Sequence, residues 1–113
     1  MPPDPKKLLE DALAAVRLIE QFSAGRELKE LDTDPLLRSG IYWQFAIIGE
    51  ALTQLRRFDP ATFGQISESP RIIAFRNQIL HGYGSIQDNV TWQIIQDKVP
   101  VLRRELEGLL KGP

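Results

Sequence analysis

Four pairs of a capping residue and a proline constrain the fold of this chain more than any other feature of its sequence. They are Asp4-Pro5, Asp34-Pro35, Asp59-Pro60 and Ser69-Pro70. The first side chain of each pair can accept from the free N–H groups of a first helical turn, where the missing N–H of proline costs nothing. Proline also moves the preceding residue out of the α region, as an N-cap requires. The pairs predict helices that begin at about residues 5, 35, 60 and 70.

Apolar residues recur at helical spacing between these starts, and no segment alternates with period two over the length of a strand. The clearest stripes are Leu9, Leu13 and Val16 (with Glu20 and Ser23 on the same edge), then Ile41, Phe45, Ile48, Leu52 and Leu55, and finally Ile95, Val99, Leu102, Leu106 and Leu109. Gly25 should end the first helix, and Pro100 should kink the last one. The connection at 24–34 is expected to be partly helical. The pattern predicts an all-α antiparallel four-helix bundle, with a short extra helical turn at about 60–64.

Composition narrows the class of protein. A length of 113 residues, with 42% hydrophobic and 26% charged residues, suits one globular domain spanning 1–113. The absence of cysteine excludes disulfides and thiolate metal sites. No apolar run approaches the roughly 18 residues of a membrane span, so we expect a cytoplasmic protein. A net charge of −1 gives no global attraction to nucleic acid, and any such contact needs a local patch.

The segment "AFRNQILHGYGS" (74–85) holds the only histidine, His81, together with Arg76 and Tyr83. An imidazole can transfer protons near neutral pH, and an arginine can bind phosphate through two parallel hydrogen bonds. Each residue also has a structural explanation: His81 could cap a helix end, Arg76 could form a salt bridge, and Tyr83 could anchor a loop. Arg71 and Arg76 lie in a stretch, 69–87, without acidic residues, which predicts a local positive patch with Arg71 as a candidate RNA contact.

Helix geometry separates Arg76 from His81, because five residues turn an ideal helix by about 140°. One chain would point both side chains at one spot only if the helix unwound near Gly82. Glu50 lies off the apolar face of its helix. The preceding Gly49 weakens a helix, and a glycine at such a position suggests close packing against another element. Glu50 is either the carboxylate partner of Arg76 or a solvated glutamate.

The chain also resembles a known family. The stretch "RNQILHGY" (76–83) is similar to the Arg-Asn-x-x-x-His-x-Tyr signature of the HepT-like toxins in the HEPN superfamily. The segment "AIIGEALTQL" (46–55) resembles the Ile-Gly-Glu-Ala segment that precedes it in that family, and "VTWQIIQDKVPVLRREL" (90–106) follows at similar spacing. The resemblance covers roughly residues 5–110.

The resemblance implies an all-α homodimer that acts as a metal-independent endoribonuclease, without a cofactor, as the toxin of a type II/VII-like toxin–antitoxin pair. It assigns Arg76 and His81 as the catalytic pair and Asn77 as a supporting polar residue. The implied partner is an antitoxin with a minimal nucleotidyltransferase fold, which can attach AMP to Tyr83.

Cleavage of RNA at its own 2′-OH needs proton transfer and positive charge at the phosphate, which His81 and Arg76 could supply. A two-fold dimer would bring two of each into one cleft. Two alternatives stay open at this point. One is a catalytically inert bundle that binds a nucleotide or a partner protein, and the other is a dimerisation module for a nucleotidyltransferase subunit.

Overall fold

The computed structural model describes residues 2–112, and within that range the regular structure is entirely helical. The helices are α1 (Pro5–Ser23), α2 (Glu30–Thr33), α3 (Pro35–Phe58), α4 (Pro60–Phe63), α5 (Ser69–His81), α6 (Asp88–Asp97) and α7 (Val99–Lys111), with a 3₁₀ turn at Tyr83–Ser85. The all-α prediction is confirmed. No helix in the described range is both long and apolar enough to cross a membrane.

Three of the four capping pairs act as the sequence predicts. The Asp4 carboxylate accepts from the backbone N–H of Lys6 at 3.0 Å and begins α1. Asp34 begins α3 and Asp59 begins α4, each accepting from a backbone N–H three residues ahead, at 3.1 Å and 3.2 Å. The prolines that follow lie in the first turn, where their missing N–H leaves no bond unmade.

The fourth capping prediction is wrong. Glu68 occupies the N-cap position of α5, and Ser69 is already the first helical residue. The backbone N–H of Ser69 donates to the carbonyl of Ile66 at 3.2 Å, so the chain has turned before the helix begins. This turn buries Ser69 completely, and its hydroxyl has no hydrogen-bond partner.

Near Pro100, where the sequence predicts a kink in one helix, the structure has two helices separated by Lys98 alone. The helix α6 ends at Asp97, and α7 begins at Val99 with Pro100 in its first turn. Proline is tolerated there because the N–H groups of a first turn have no acceptor within their own helix, so the missing N–H of proline leaves no bond unmade. Gly25 follows the end of α1 with a φ of +72°, the left-handed conformation that favours glycine, as the sequence predicts.

Helix α3 lies at the centre of the bundle, with α1 and α5 packed against it and α7 packed against α1. Its predicted stripe is buried throughout, with every member at most 1% exposed: Ile41, Phe45, Ile48, Leu52 and Leu55. The rings of Phe45 and Phe75 meet edge to face at a centroid distance of 5.0 Å, which fixes α5 against α3. This contact places the segment 74–85 beside the middle and the N-terminal half of α3.

Candidate active site at the contact of α3 and α5

Gly49 sets the distance between α3 and α5 at the position of Arg76. A Cβ atom built on Gly49 would lie 2.3 Å from both the Cβ and the Cγ of Arg76. Real Cβ atoms do not approach so closely, so any side chain at residue 49 would push the two helices apart. The stem of Arg76 therefore runs directly over the backbone of α3.

The guanidinium of Arg76 is held by two neighbouring side chains. Its Nη2 donates to Glu50 Oε2 at 2.7 Å, and its Nη1 donates to Asn77 Oδ1 at 3.1 Å. The Arg76 side chain is 20% exposed, whereas that of Glu50 is 51% exposed. The Nε atom of Arg76 is buried without a partner. The structure thus brings together Arg76, Asn77 and Glu50, three of the residues that the sequence singled out.

Tertiary contacts change the expected positive patch. The sequence has no acidic residue from 69 to 87, but α3 supplies Glu50 as a counter-charge for Arg76. Arg71 is exposed and borders a shallow groove against α6, where it lies with Lys98. The two arginines face different neighbours, so the patch predicted from their sequence proximity is divided.

His81 is the last residue of α5, and its side chain is exposed. Gly82 ends the helix with its backbone N–H donating to the carbonyl of Gln78 at 2.8 Å. Within residues 2–112, the imidazole forms neither a hydrogen bond nor an ion pair, and none joins it to Arg76. The exposed imidazole can therefore contact a ligand or a second chain. No hydrogen bond within residues 2–112 supports the alternative that His81 caps the helix.

Tyr83 is 47% exposed in the 3₁₀ turn that follows α5. Its hydroxyl accepts from Arg38 Nε at 3.1 Å, and its ring meets that of Tyr42 edge to face at 5.5 Å between centroids. The Arg38 guanidinium also forms an ion pair with Asp88. Burial disfavours this charge, but hydrogen bonds to Asp88 and Tyr83 outweigh it and raise the pKa of Arg38 above its ordinary value.

Sequence reasoning missed the group that surrounds Tyr83. Arg38 and Tyr42 are four residues apart on α3, but Asp88 and Tyr83 lie about 45 to 50 residues further along the chain. The Tyr42 hydroxyl lies 2.6 Å from Thr91 Oγ1, and burial raises the pKa of Tyr42. No local spacing signals such a group, because it forms only when α3, the 3₁₀ turn and α6 pack together.

The part of the chain that the structure describes contains no cluster of side chains suited to binding a metal ion. Residues 2–112 hold no group of three or more His, Cys, Asp or Glu side chains arranged to bind a metal ion.

Comparison with known proteins gives one family and several relatives. The family model described as "Ribonuclease HepT-like" matches residues 12–109. A protein of Thermococcus cleftensis named "Probable ribonuclease HepT" is 27% identical over 109 residues, which cover 94% of this chain and 96% of the relative. A protein of Methanocaldococcus jannaschii named "Putative RNase MJ1380" is 24% identical over 104 residues, covering 92% and 94%. No solved structure matches the chain.

Proposed function

The chain belongs to the HepT-like ribonuclease family, and from this premise we propose that it is an endoribonuclease that cleaves RNA phosphodiester bonds without a metal ion. In this proposal it is the toxin of a toxin–antitoxin pair. The observation that carries the proposal is the preorganised Arg76, which Glu50 and Asn77 hold at the start of a segment that ends in an exposed His81.

The proposed chemistry uses the nucleophile of the substrate itself. His81 moves protons, from the 2′-OH that attacks or to the 5′-oxygen that leaves. Arg76 places its charge against the phosphate oxygens, where negative charge develops in the transition state. Because Asn77 and Glu50 already fix the guanidinium, Arg76 loses little conformational freedom when RNA binds.

The exposed face of α3 supports a homodimer. Leu36 and Trp43 are 84% and 65% exposed, unusual values for large apolar side chains. Trp43 and Glu50 are seven residues apart, so they lie on the same face of the helix, and both border a groove of about 270 Å³ against α1. A two-fold interface over Trp43 would therefore bring two copies of the Glu50–Arg76 pair close to one another.

The proposed partner is a nucleotidyltransferase antitoxin that attaches AMP to Tyr83. The exposure of Tyr83 supports the assignment, because a second enzyme could approach this residue from solvent. The added phosphodiester would place negative charge and bulk two residues from His81, where the phosphate of RNA must bind.

RNA cleavage by the purified protein in the presence of a chelator tests the catalytic proposal. His81→Ala should reduce the cleavage rate by about 10²- to 10⁴-fold, the usual contribution of a positioned proton-transfer group. Arg76→Gln should reduce it by about 10²- to 10³-fold, the usual loss when one group that stabilises transition-state charge is removed. Arg104→Gln removes an exposed charge on α7 and is the matched control, with unchanged cleavage expected.

If His81→Ala cleaves as fast as the parent protein, this site is not catalytic. RNA or nucleotide binding without cleavage would then favour the binding-module alternative.

A further inference from the structure

Arg38 lies directly beside the hydroxyl of Tyr83, in a setting that fixes the direction of its guanidinium. Its Nε donates to the Tyr83 hydroxyl, and its Nη1 donates to Asp88 and to the carbonyl of Leu31. The guanidinium carbon lies 4.9 Å from the ring centroid of Tyr42 and 5.6 Å from that of Tyr83. Three hydrogen bonds and two aromatic faces hold the group in one orientation.

The exposure of the two partners differs. The Arg38 side chain is only 23% exposed, whereas Tyr83 is 47% exposed. An enzyme could thus reach Tyr83 from solvent, while the arginine beside its hydroxyl is already ordered. A preordered guanidinium binds an anion at low entropic cost, and its planar fork suits phosphate oxygens.

We propose that Arg38 is the binding residue for a phosphoryl group carried on Tyr83, and that it anchors the modified 3₁₀ turn to α3. This inference rests on the proposed function, since it presupposes modification of the tyrosine. In adenylyl transfer the Tyr83 oxygen attacks the α-phosphorus of ATP. The new O–P bond replaces the bond to pyrophosphate, which leaves, and the phenolic proton passes to solvent.

The product is an ester whose bridging oxygen is a poor hydrogen-bond acceptor. Its two non-bridging oxygens share one negative charge and lie two bonds beyond the tyrosine oxygen, the atom that Arg38 Nε contacts in the unmodified protein. The Arg38 N–H moves to one of these oxygens, so a neutral hydrogen bond becomes a charge-assisted one. The attached nucleotide is then fixed at the end of α5, next to His81, instead of moving freely in solvent.

A phosphotyrosine incorporated at position 83 by codon suppression tests the inference without the partner enzyme. The second ionisation of this probe has a pKa of about 6, and ³¹P NMR follows it directly. Arg38 favours the dianion, so the pKa of the phosphate should be about 1 unit higher in the Arg38→Gln protein. Arg104→Gln, which removes a charge on α7, should leave the titration unchanged.

Two further variants keep the test decisive if Arg38→Gln folds poorly. Asp88→Asn removes the carboxylate that competes for Arg38 and should lower the pKa of the phosphate. Arg38→Lys keeps the charge without the fork and should give an intermediate value. Identical titrations in the parent, Arg38→Gln and Arg38→Lys proteins would overturn the inference. The titration needs neither RNA nor the antitoxin. Its result would therefore be the same if the protein proved not to be a ribonuclease.

Discussion

Gly49 and Arg76 are in backbone-to-side-chain contact that leaves no room for a methyl group, since a Cβ at residue 49 would lie 2.3 Å from the Cβ of Arg76. The same contact places Glu50, the next residue on α3, within 2.7 Å of the Arg76 guanidinium. The glycine thus accounts for both the closeness of α3 to α5 and the position of the candidate catalytic arginine.

Gly49→Ala should lower the free energy of unfolding by about 1–3 kcal/mol, because the added methyl overpacks the α3–α5 contact. It should also reduce RNA cleavage by displacing Arg76. Gly108→Ala is the matched control, because a Cβ at Gly108 meets nothing within 4 Å in α7. That change should raise stability by up to about 1 kcal/mol through helix propensity. Urea denaturation measures both, and equal stability of the two variants would contradict the packing argument.

Glu50→Gln should separate RNA binding from cleavage. Removal of the carboxylate leaves Arg76 with uncompensated charge, so binding of a 2′-deoxy RNA analogue that cannot be cleaved should tighten at low salt. Cleavage of normal RNA should slow about tenfold, because the guanidinium loses the partner that orients it. Glu10→Gln, on an exposed position of α1, is the control. Weaker binding in Glu50→Gln would argue against Glu50 as a counter-charge.

Asp34→Ala should have a pH-dependent effect on stability. The backbone N–H of Leu37 and the neighbouring Arg26 guanidinium lower the pKa of the Asp34 carboxyl below its ordinary value. A lowered folded-state pKa means that the stabilisation is fully present above the unfolded value of about 3.9 and is lost as the pH falls through the folded value. The stability difference between parent and Asp34→Ala should therefore be constant from neutral pH down to about 5 and shrink below about 4.

Thermal unfolding at a series of pH values measures this difference. Asp32→Ala, an exposed carboxylate in α2, is the control and should change the melting temperature less. A difference between the parent and Asp34→Ala that stays constant down to pH 2 would show that the cap does not depend on the carboxylate charge.

Trp43→Glu should convert the proposed homodimer to monomers, because it places a charge at the centre of an exposed apolar face. Leu28→Glu changes a 39% exposed leucine between α1 and α2 and should leave the dimer intact. Sedimentation equilibrium distinguishes the two states. A parent protein that is monomeric at every concentration tested would contradict the proposal that two chains form one catalytic cleft. A dimer that survives Trp43→Glu would place the interface elsewhere.

The helices follow from local sequence signals. Asp4, Asp34 and Asp59 cap their helices as expected, because the capping bond involves residues only two or three positions apart. Ser69 departs from the rule because a turn that begins at Ile66 already bends the chain before the helix. Pro100 separates α6 from α7 because a new first turn accommodates proline better than a kinked interior does.

The membership of the candidate site stays a prediction from the sequence, and the structure shows contact among Arg76, Asn77 and Glu50. The motif supplies Arg76, Asn77 and His81, and the Gly49–Glu50 pair signals a close approach to α5. The neutralisation of Arg76 and the separation of Arg71 from it depend on which helix packs on each side of α5.

The sequence by itself determined where α1, α3 and α4 begin, which helix faces are buried, and which polar residues lie on α5, since each depends on spacing along one segment. Only the tertiary structure decided that Glu50 faces Arg76 and that Arg38 lies behind Tyr83. Those pairs are separated by 26 and 45 residues. Their contacts exist because packing of the core fixes the distance and rotation of α3 against α5, which no local pattern records.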